Sequence, residues 1–343
     1  MSAWGTPALV VVFTLAGIAT WIAGSFLSKA TDVLDGRFGL GDAVGGMLLL
    51  GLAGSLPELA ITASAALSGH LSLAVGNLLG GIAMQTLVLV LLDATSRRRA
   101  PLSSLTHDTS PLLEAMLVIV LVSVAVMGGL LPASTSVGPL SPASIGIVVL
   151  FLLGIVGLNR ARTRPAWTVA GEAPAPPREA PNRLGAKTTG VVLGIFGLAS
   201  LVTLLAGVML EQTGNALADD MGVNGVVFGA TILAAVTALP EISSGIAAVR
   251  LGQVGLAMSD IYGGNAMQLT FFLLADALAG SPVLPTASAE SLWLGATGAV
   301  VTAMLAYGLL TRPEHKTLGL GRDSLLVLVT YAAAVLFLPA IPA

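Results

Sequence analysis

Apolar residues fill this chain in blocks of about twenty, the length at which a helix crosses the hydrocarbon of a bilayer. Short polar or Gly/Pro-rich breaks separate the blocks. They fall at 7–27, 43–68, 72–92, 111–131 and 143–158, and again at 188–210, 224–249, 254–279, 289–311 and 323–340. None alternates with the period of two that a membrane barrel requires. The pattern predicts an all-α polytopic membrane protein with ten transmembrane helices in two sets of five. Between the sets, 159–187 is rich in Pro, Ala and Arg and contains Ala173-Pro-Ala-Pro-Pro177. Such a stretch buries no core and reads as a linker. The expected divisions are therefore 1–158, 159–187 and 188–343.

Composition agrees. The 343 residues are 55% hydrophobic and 10% charged, against about 25% charged in a soluble domain. A net charge of −3 means little in a chain mostly in lipid, and there is no basic surface to suggest nucleic acid. Cysteine is absent, which excludes disulfides, thiolate metal sites and thiol catalysis. Met1–Pro7 lacks the positive region of a signal peptide and Ala8–Leu27 is long for its apolar core, so this stretch reads as the first span.

Charge placement orients the spans, because cytoplasmic loops are enriched in Lys and Arg. Ten spans threaded with the N-terminus outside put all 15 Lys and Arg residues in inside loops. The expectation is an inner-membrane protein with both termini outside and the 159–187 linker in the cytoplasm. Five spans reverse direction, so the second set enters from the opposite side. Aligning Gly46–Asp93 on Gly229–Asp276 without a gap matches about a third of the positions, including Leu56-Pro57-Glu58 with Leu239-Pro240-Glu241 and Ala83-Met84-Gln85 with Ala266-Met267-Gln268. Inverted repeats of this kind characterise secondary transporters, with the ion site near the midplane at the repeat interface.

The chemistry centres on Gly51-Leu-Ala-Gly-Ser-Leu-Pro-Glu58 and its second copy, Ala234-Ala-Val-Thr-Ala-Leu-Pro-Glu241. A carboxylate in mid-bilayer is costly and marks function by default. Each proline frees the carbonyl four residues before it. Free carbonyls beside a buried carboxylate are hard oxygen ligands for a cation.

These residues resemble the two alpha-repeats of the sodium/calcium exchanger family, within the calcium:cation antiporter superfamily. The resemblance implies that Glu58 and Glu241 are the central calcium ligands. It implies backbone contributions near Gly51, Gly54, Ala234 and Thr237, and a hydroxyl at Ser55 that becomes Ala238 in the second copy. Exchangers usually continue with Gly-Ser-Asn-x-x-Asn or Gly-Ser-Asn-x-x-Asp. Here the chain reads Gly80-Gly-Ile-Ala-Met-Gln85 and Gly263-Gly-Asn-Ala-Met-Gln268, so Gln85 and Gln268 stand at the Asn/Asp positions and Gly81 and Gly264 at the Ser positions. The implied function is secondary antiport, calcium outward against sodium or protons. No cofactor is implied, and the partners are inorganic cations and the lipid bilayer. Another cation exchanged for protons is an alternative, and a cation channel a more distant one.

Other polar residues have plainer readings. Gln85 and Gln268 are either ion ligands or interhelical hydrogen-bonding residues. Asp260 either caps a broken helix or supplies a third carboxylate. Asp93 and Asp276 read as solvated helix ends, and His70 as an inert turn residue. Gly39-Leu-Gly-Asp42 matches an intramembrane aspartyl protease motif, but the preceding span Ala8–Leu27 holds no second acid, which that chemistry needs. His-Glu-x-x-His is also absent.

Overall fold

The computed structural model describes residues 5–38, 52–96, 98–106, 109–163 and 183–341. The helices are α1 (Thr6–Phe38), α2 (Leu56–Ser68), α3 (Leu71–Thr95), α4 (Ser110–Gly129), α5 (Pro142–Thr163) and α6 (Thr189–Met221). They continue as α7 (Gly225–Thr237), α8 (Leu239–Arg250), α9 (Val254–Leu269), α10 (Phe271–Ala279), α11 (Ala289–Thr311) and α12 (Arg322–Phe337). Among the described residues seven helices are long and apolar enough to cross a membrane, and eight if α7 and α8, bent by 45°, count as one span. Gly51 and most of the linker, 164–182, lie outside the described residues.

The breaks fall where the sequence removes or competes with helical hydrogen bonds. Pro57 and Pro240 stand in the first turns of α2 and α8, where a missing N–H costs nothing. A π-helical turn, Gly229–Leu233, loosens α7 just ahead of the second break. Between α9 and α10, the Thr270 hydroxyl bonds back to the Met267 carbonyl at 2.6 Å. Such back-bonding bends helices.

Two expected spans end later than anticipated. α1 and α6 each have 33 residues, a length near 50 Å against a hydrocarbon core of about 30 Å. They pack along one another, and that mutual burial carries both helices past their apolar blocks into polar turns. The 183-residue offset that relates Gln85 to Gln268 also carries the bounds of α1 onto those of α6, and the starts of α2 and α3 onto those of α8 and α9.

Close crossings join the halves. A Cβ on Gly24 of α1 would lie 2.7 Å from Pro240 Cγ of α8, and one on Gly207 of α6 would lie 2.6 Å from Ala60 Cβ and 3.1 Å from the Pro57 carbonyl of α2. Gly24 and Gly207 are 183-offset counterparts. Each long helix therefore rests, through a glycine, on the proline break of the other half.

The structure corrects the reading of Asp93 and Asp276. Both are fully buried. Asp276 of α10 accepts the Ser141 and Val283 backbone N–H groups at 2.8 and 2.6 Å, tying down the start of α5. Asp93 of α3 accepts from Leu102 N–H, Gly321 N–H and Ser324 Oγ at 2.7 to 2.9 Å and pairs with Lys316 at 3.0 Å, holding the start of α12. Each half caps a helix of the other. A carboxylate at a span end reads as solvated only until another chain segment folds over it.

The basic loops gather at one end of the molecule. Arg312 donates to the Ser104 and Thr106 carbonyls, Lys316 to the Asp93 carbonyl, and Arg37 to the Gly185 and Lys187 carbonyls.

Replacing Asp276 by Ala strands two buried N–H donors, each worth about 1–3 kcal/mol when left unmade. Asp276→Ala and Asp93→Ala are therefore expected to lower the melting temperature of detergent-solubilised protein by several degrees. Midpoints equal to the parent's would refute the capping role.

Candidate functional site

Three helix breaks, at the starts of α2 and α8 and after α9, together with the continuous α3, bring the predicted residues together. Glu58 stands in the first turn of α2, Glu241 in that of α8, Gln85 within α3 and Gln268 near the end of α9. Gln85 Nε2 donates to Glu58 Oε1 and to Gln268 Oε1, both at 3.2 Å. Gln268 Nε2 donates to the Leu78 carbonyl at 2.7 Å. The two amides thus form a chain that ends on Glu58.

Thr237, at the end of α7, reaches both the Glu58 carboxylate and the Ala234 carbonyl, 3.2 Å from its Oγ1. One hydroxyl proton serves either acceptor. When it goes to Glu58, the Ala234 carbonyl keeps only its helical bond from Ala238 N–H at 3.1 Å, and one lone pair faces elsewhere.

Glu241 lies close enough to Glu58 and Asp260 for their charges to act on it. Glu58 is 2% exposed. Glu58 Oε2 and Glu241 Oε2 are both buried without a hydrogen-bond partner among the described residues. No Lys or Arg stands near enough to either carboxylate to form an ion pair among those residues. Two buried carboxyl oxygens without donors suit a bound cation.

A cavity of about 340 Å³ leads to this point and is lined by Ser55, Gln85, Glu114, Glu241, Ser244 and Asp260, among others. Glu58 sits just behind that lining. On the α1 side the cavity follows Gly24 to Asp32, the half of α1 that runs toward the basic end. Asp32 and Asp260 are exposed to it, and their charges oppose one another.

Asp260 lies inside α9, whose N-cap is Gln253, so the capping reading fails. Its carboxylate belongs to the cavity wall with Asp32 and Ser244, one step from the Glu58–Gln85–Gln268 chain. Gly54 and Ser55 line the cavity, with Ser55 Oγ facing Gly264.

Sequence reasoning passed over Asp32 and Glu114, which share the cavity. It also passed over Glu211, a fully buried acid on α6. The rule that singled out Glu58 applies equally to Glu211, but the apolar block was ended one residue too early, at 210.

The sequence profile of the family described as sodium/calcium exchanger protein matches residues 8–160 and 191–339. A curated relative from Alkalimonas amylolytica, "Putative antiporter CaxA", is 27% identical over 89% of this chain and 92% of its own. The inner membrane protein YrbG of Escherichia coli (strain K12) is 29% identical over 73% of each chain. Among solved structures, the H+/Ca2+ exchanger CAX superposes with a TM-score of 0.72 at 16% identity, covering 97% of this chain and 85% of that one. A structure of the sodium-calcium exchanger NCX_Mj superposes at 0.59 with 18% identity, covering 97% and 99%. Those two likenesses establish the fold.

A Cβ on Gly81 would lie 3.0 Å from Gln268 Nε2, so the long amide occupies the space that a side chain at 81 would take. Gly81→Ala is expected to lower the melting temperature, and Gln268→Asn, shorter by one methylene, to restore most of the loss in that background. A double variant no more stable than Gly81→Ala would refute the pairing.

Proposed function

Since the chain belongs to the sodium/calcium exchanger protein family, a family of antiporters and not of enzymes, we propose that it exchanges calcium for protons or sodium across a membrane at a site between Glu58 and Glu241. The observation that carries this reading is the pair of buried, unpartnered oxygens, Glu58 Oε2 and Glu241 Oε2. Calcium takes six to eight oxygens. Ser55, Thr237 and the Ala234 carbonyl are at hand, as are the Gln85 and Gln268 amide oxygens, while Gly51 and Gly54 belong to the segment before the first break. Asp260 and Asp32 attract cations into the cavity rather than binding them at its end.

Ten spans in two inverted sets of five complete the reading, with α7–α8 and α9–α10 each one broken span and α2 the described half of another. The basic end is the cytoplasmic one, so the cavity faces inward. The 159–187 linker lies on that side and both termini lie outside. Helices α2, α3, α8 and α9 hold the ion, and α1 and α6 move against them.

Charge counting bears on the coupling ion. The site holds two carboxylates and two neutral amides, where exchangers often carry an additional Asp. One calcium ion balances two negative charges, and so do two protons or two sodium ions. Exchange should therefore be two-for-one and carry no net charge. Reconstituted vesicles with a proton or a sodium gradient imposed separately test this. Calcium flux that responds strongly to membrane potential, as three-for-one exchange demands, would overturn it.

Glu58→Gln and Glu241→Gln each keep side-chain volume and remove the charge that offsets dehydration of the ion. Each should abolish exchange in proteoliposomes while leaving a folded protein, and the double variant should be no worse than either single one, because both act on one ion. Either variant exchanging calcium like the parent would show the site to be misplaced.

A further inference from the structure

At the end opposite the basic loops, a second buried acid lies outside the ion site. Glu211 of α6 is fully buried. Its Oε2 accepts the Ser64 hydroxyl of α2 at 2.7 Å, and its Oε1 lies 2.6 Å from Nδ1 of His70 at the head of α3. His70 is half-buried, with 35% of its side chain exposed. One turn before Glu211, Gly207 crosses α2 against Pro57 and Ala60 without room for a side chain. Leu9, Phe13, Ile61, Leu73, Leu210 and Phe228 pack into one apolar cluster across the same seam. Thus α6 is closed onto α2 and α3 at this end.

The related seam on the cavity side is different. Under the 183-residue offset, Glu211 corresponds to Ser28, Ser64 to Ala247 and His70 to Gln253. Ser28 lines the cavity, and neither Ala247 nor Gln253 can supply an ion pair. The sealed side therefore carries a polar clasp that the residues at the equivalent positions of the open side do not repeat. Hydrogen bonds to an ionised carboxylate are about twice as strong as neutral ones, and a buried carboxylate stripped of partners is strongly disfavoured. Such a clasp is stable while the seam is dry and closed. It comes apart only if α6 shifts far enough to bring Glu211 to water.

We propose that Glu211, held by Ser64 and His70, is a positioning residue for transport: it latches α6 over the route from Glu58 to the face opposite the cavity, and it must release before the ion site opens there. The transport part of this proposal rests on the antiport reading. The accessibility part does not.

Thr62 provides the readout. It is fully buried and stands one helical turn beyond Glu58 on the same face of α2. The native chain has no cysteine, so Thr62→Cys in the full-length protein reports alone. Labelling by a membrane-impermeant thiol reagent, applied in proteoliposomes from the face opposite the cavity, should be about tenfold faster when Glu211→Gln is added. His70→Gln, at a half-exposed position where the other half carries Gln253, should give a smaller rise in the same direction. Labelling rates equal to the Thr62→Cys parent in both variants would overturn the proposal.

A second measurement covers the case in which Glu211→Gln fails to fold. Ser64→Cys with Glu211→Cys, joined by a short reducible thiol cross-linker, should lose calcium exchange and regain it on reduction. Full exchange in the cross-linked protein would overturn the latch. Accelerated labelling in a protein that exchanges no cation at all would instead overturn the antiport reading and leave the latch standing.

Discussion

Two carboxylates buried in the middle of an apolar molecule, with no ion-pair partner among the described residues, are the constraint on which this structure depends. Each stands in the first turn of a helix that begins at a proline. The break gives the acid polar surroundings that a continuous helix withholds, because a continuous helix spends its carbonyls and N–H groups on itself. Glu58 is anchored by the Gln85 amide. One oxygen of each acid is left without a hydrogen-bond partner among the described residues.

Holding two breaks in register requires the halves to be fastened together, and the fastening is reciprocal. Gly24 of α1 meets Pro240, and Gly207 of α6 meets the Pro57 carbonyl. Asp276 of the second half caps α5 of the first, while Asp93 of the first caps α12 of the second. Neither half could satisfy these groups alone. The long helices α1 and α6 pack most extensively on one another and approach the proline breaks of α8 and α2 at glycine crossings. Small side chains at such crossings let helices approach closely without locking them together by interdigitation.

Departures from symmetry are where this chain becomes particular. Asp260 in the second half corresponds to Asn77 in the first, so the acid that Asp260 places on the cavity wall has no counterpart at the equivalent position. Glu211 corresponds to Ser28, so the Glu211–Ser64–His70 clasp has no counterpart at the equivalent positions of the other half. The amide chain is itself lopsided: Gln85 reaches Glu58, while Gln268 turns its donors to the Leu78 carbonyl. Two halves built to one plan thus differ in charge at each face, as a directional device requires.

Much of this was legible in the chain. Apolar blocks of bilayer length and two Leu-Pro-Glu elements 183 residues apart determined an all-helical membrane protein with a recurring helix plan, and singled out Glu58 and Glu241, which the fold brings close together. Those features are local or periodic, and the bilayer's intolerance of charge makes them easy to read. The tertiary structure alone decided the rest. Asp93 and Asp276 look like solvated ends in sequence and become buried caps because loops of the other half fold over them. Asp260 is drawn to the cavity wall because α9 starts six residues before it. His70, in an unremarkable turn, acquires Glu211 only when α6 crosses α2. Hydropathy records how each segment partitions into lipid, whereas these contacts depend on which segments meet, and a buried polar group is defined by its neighbours in space.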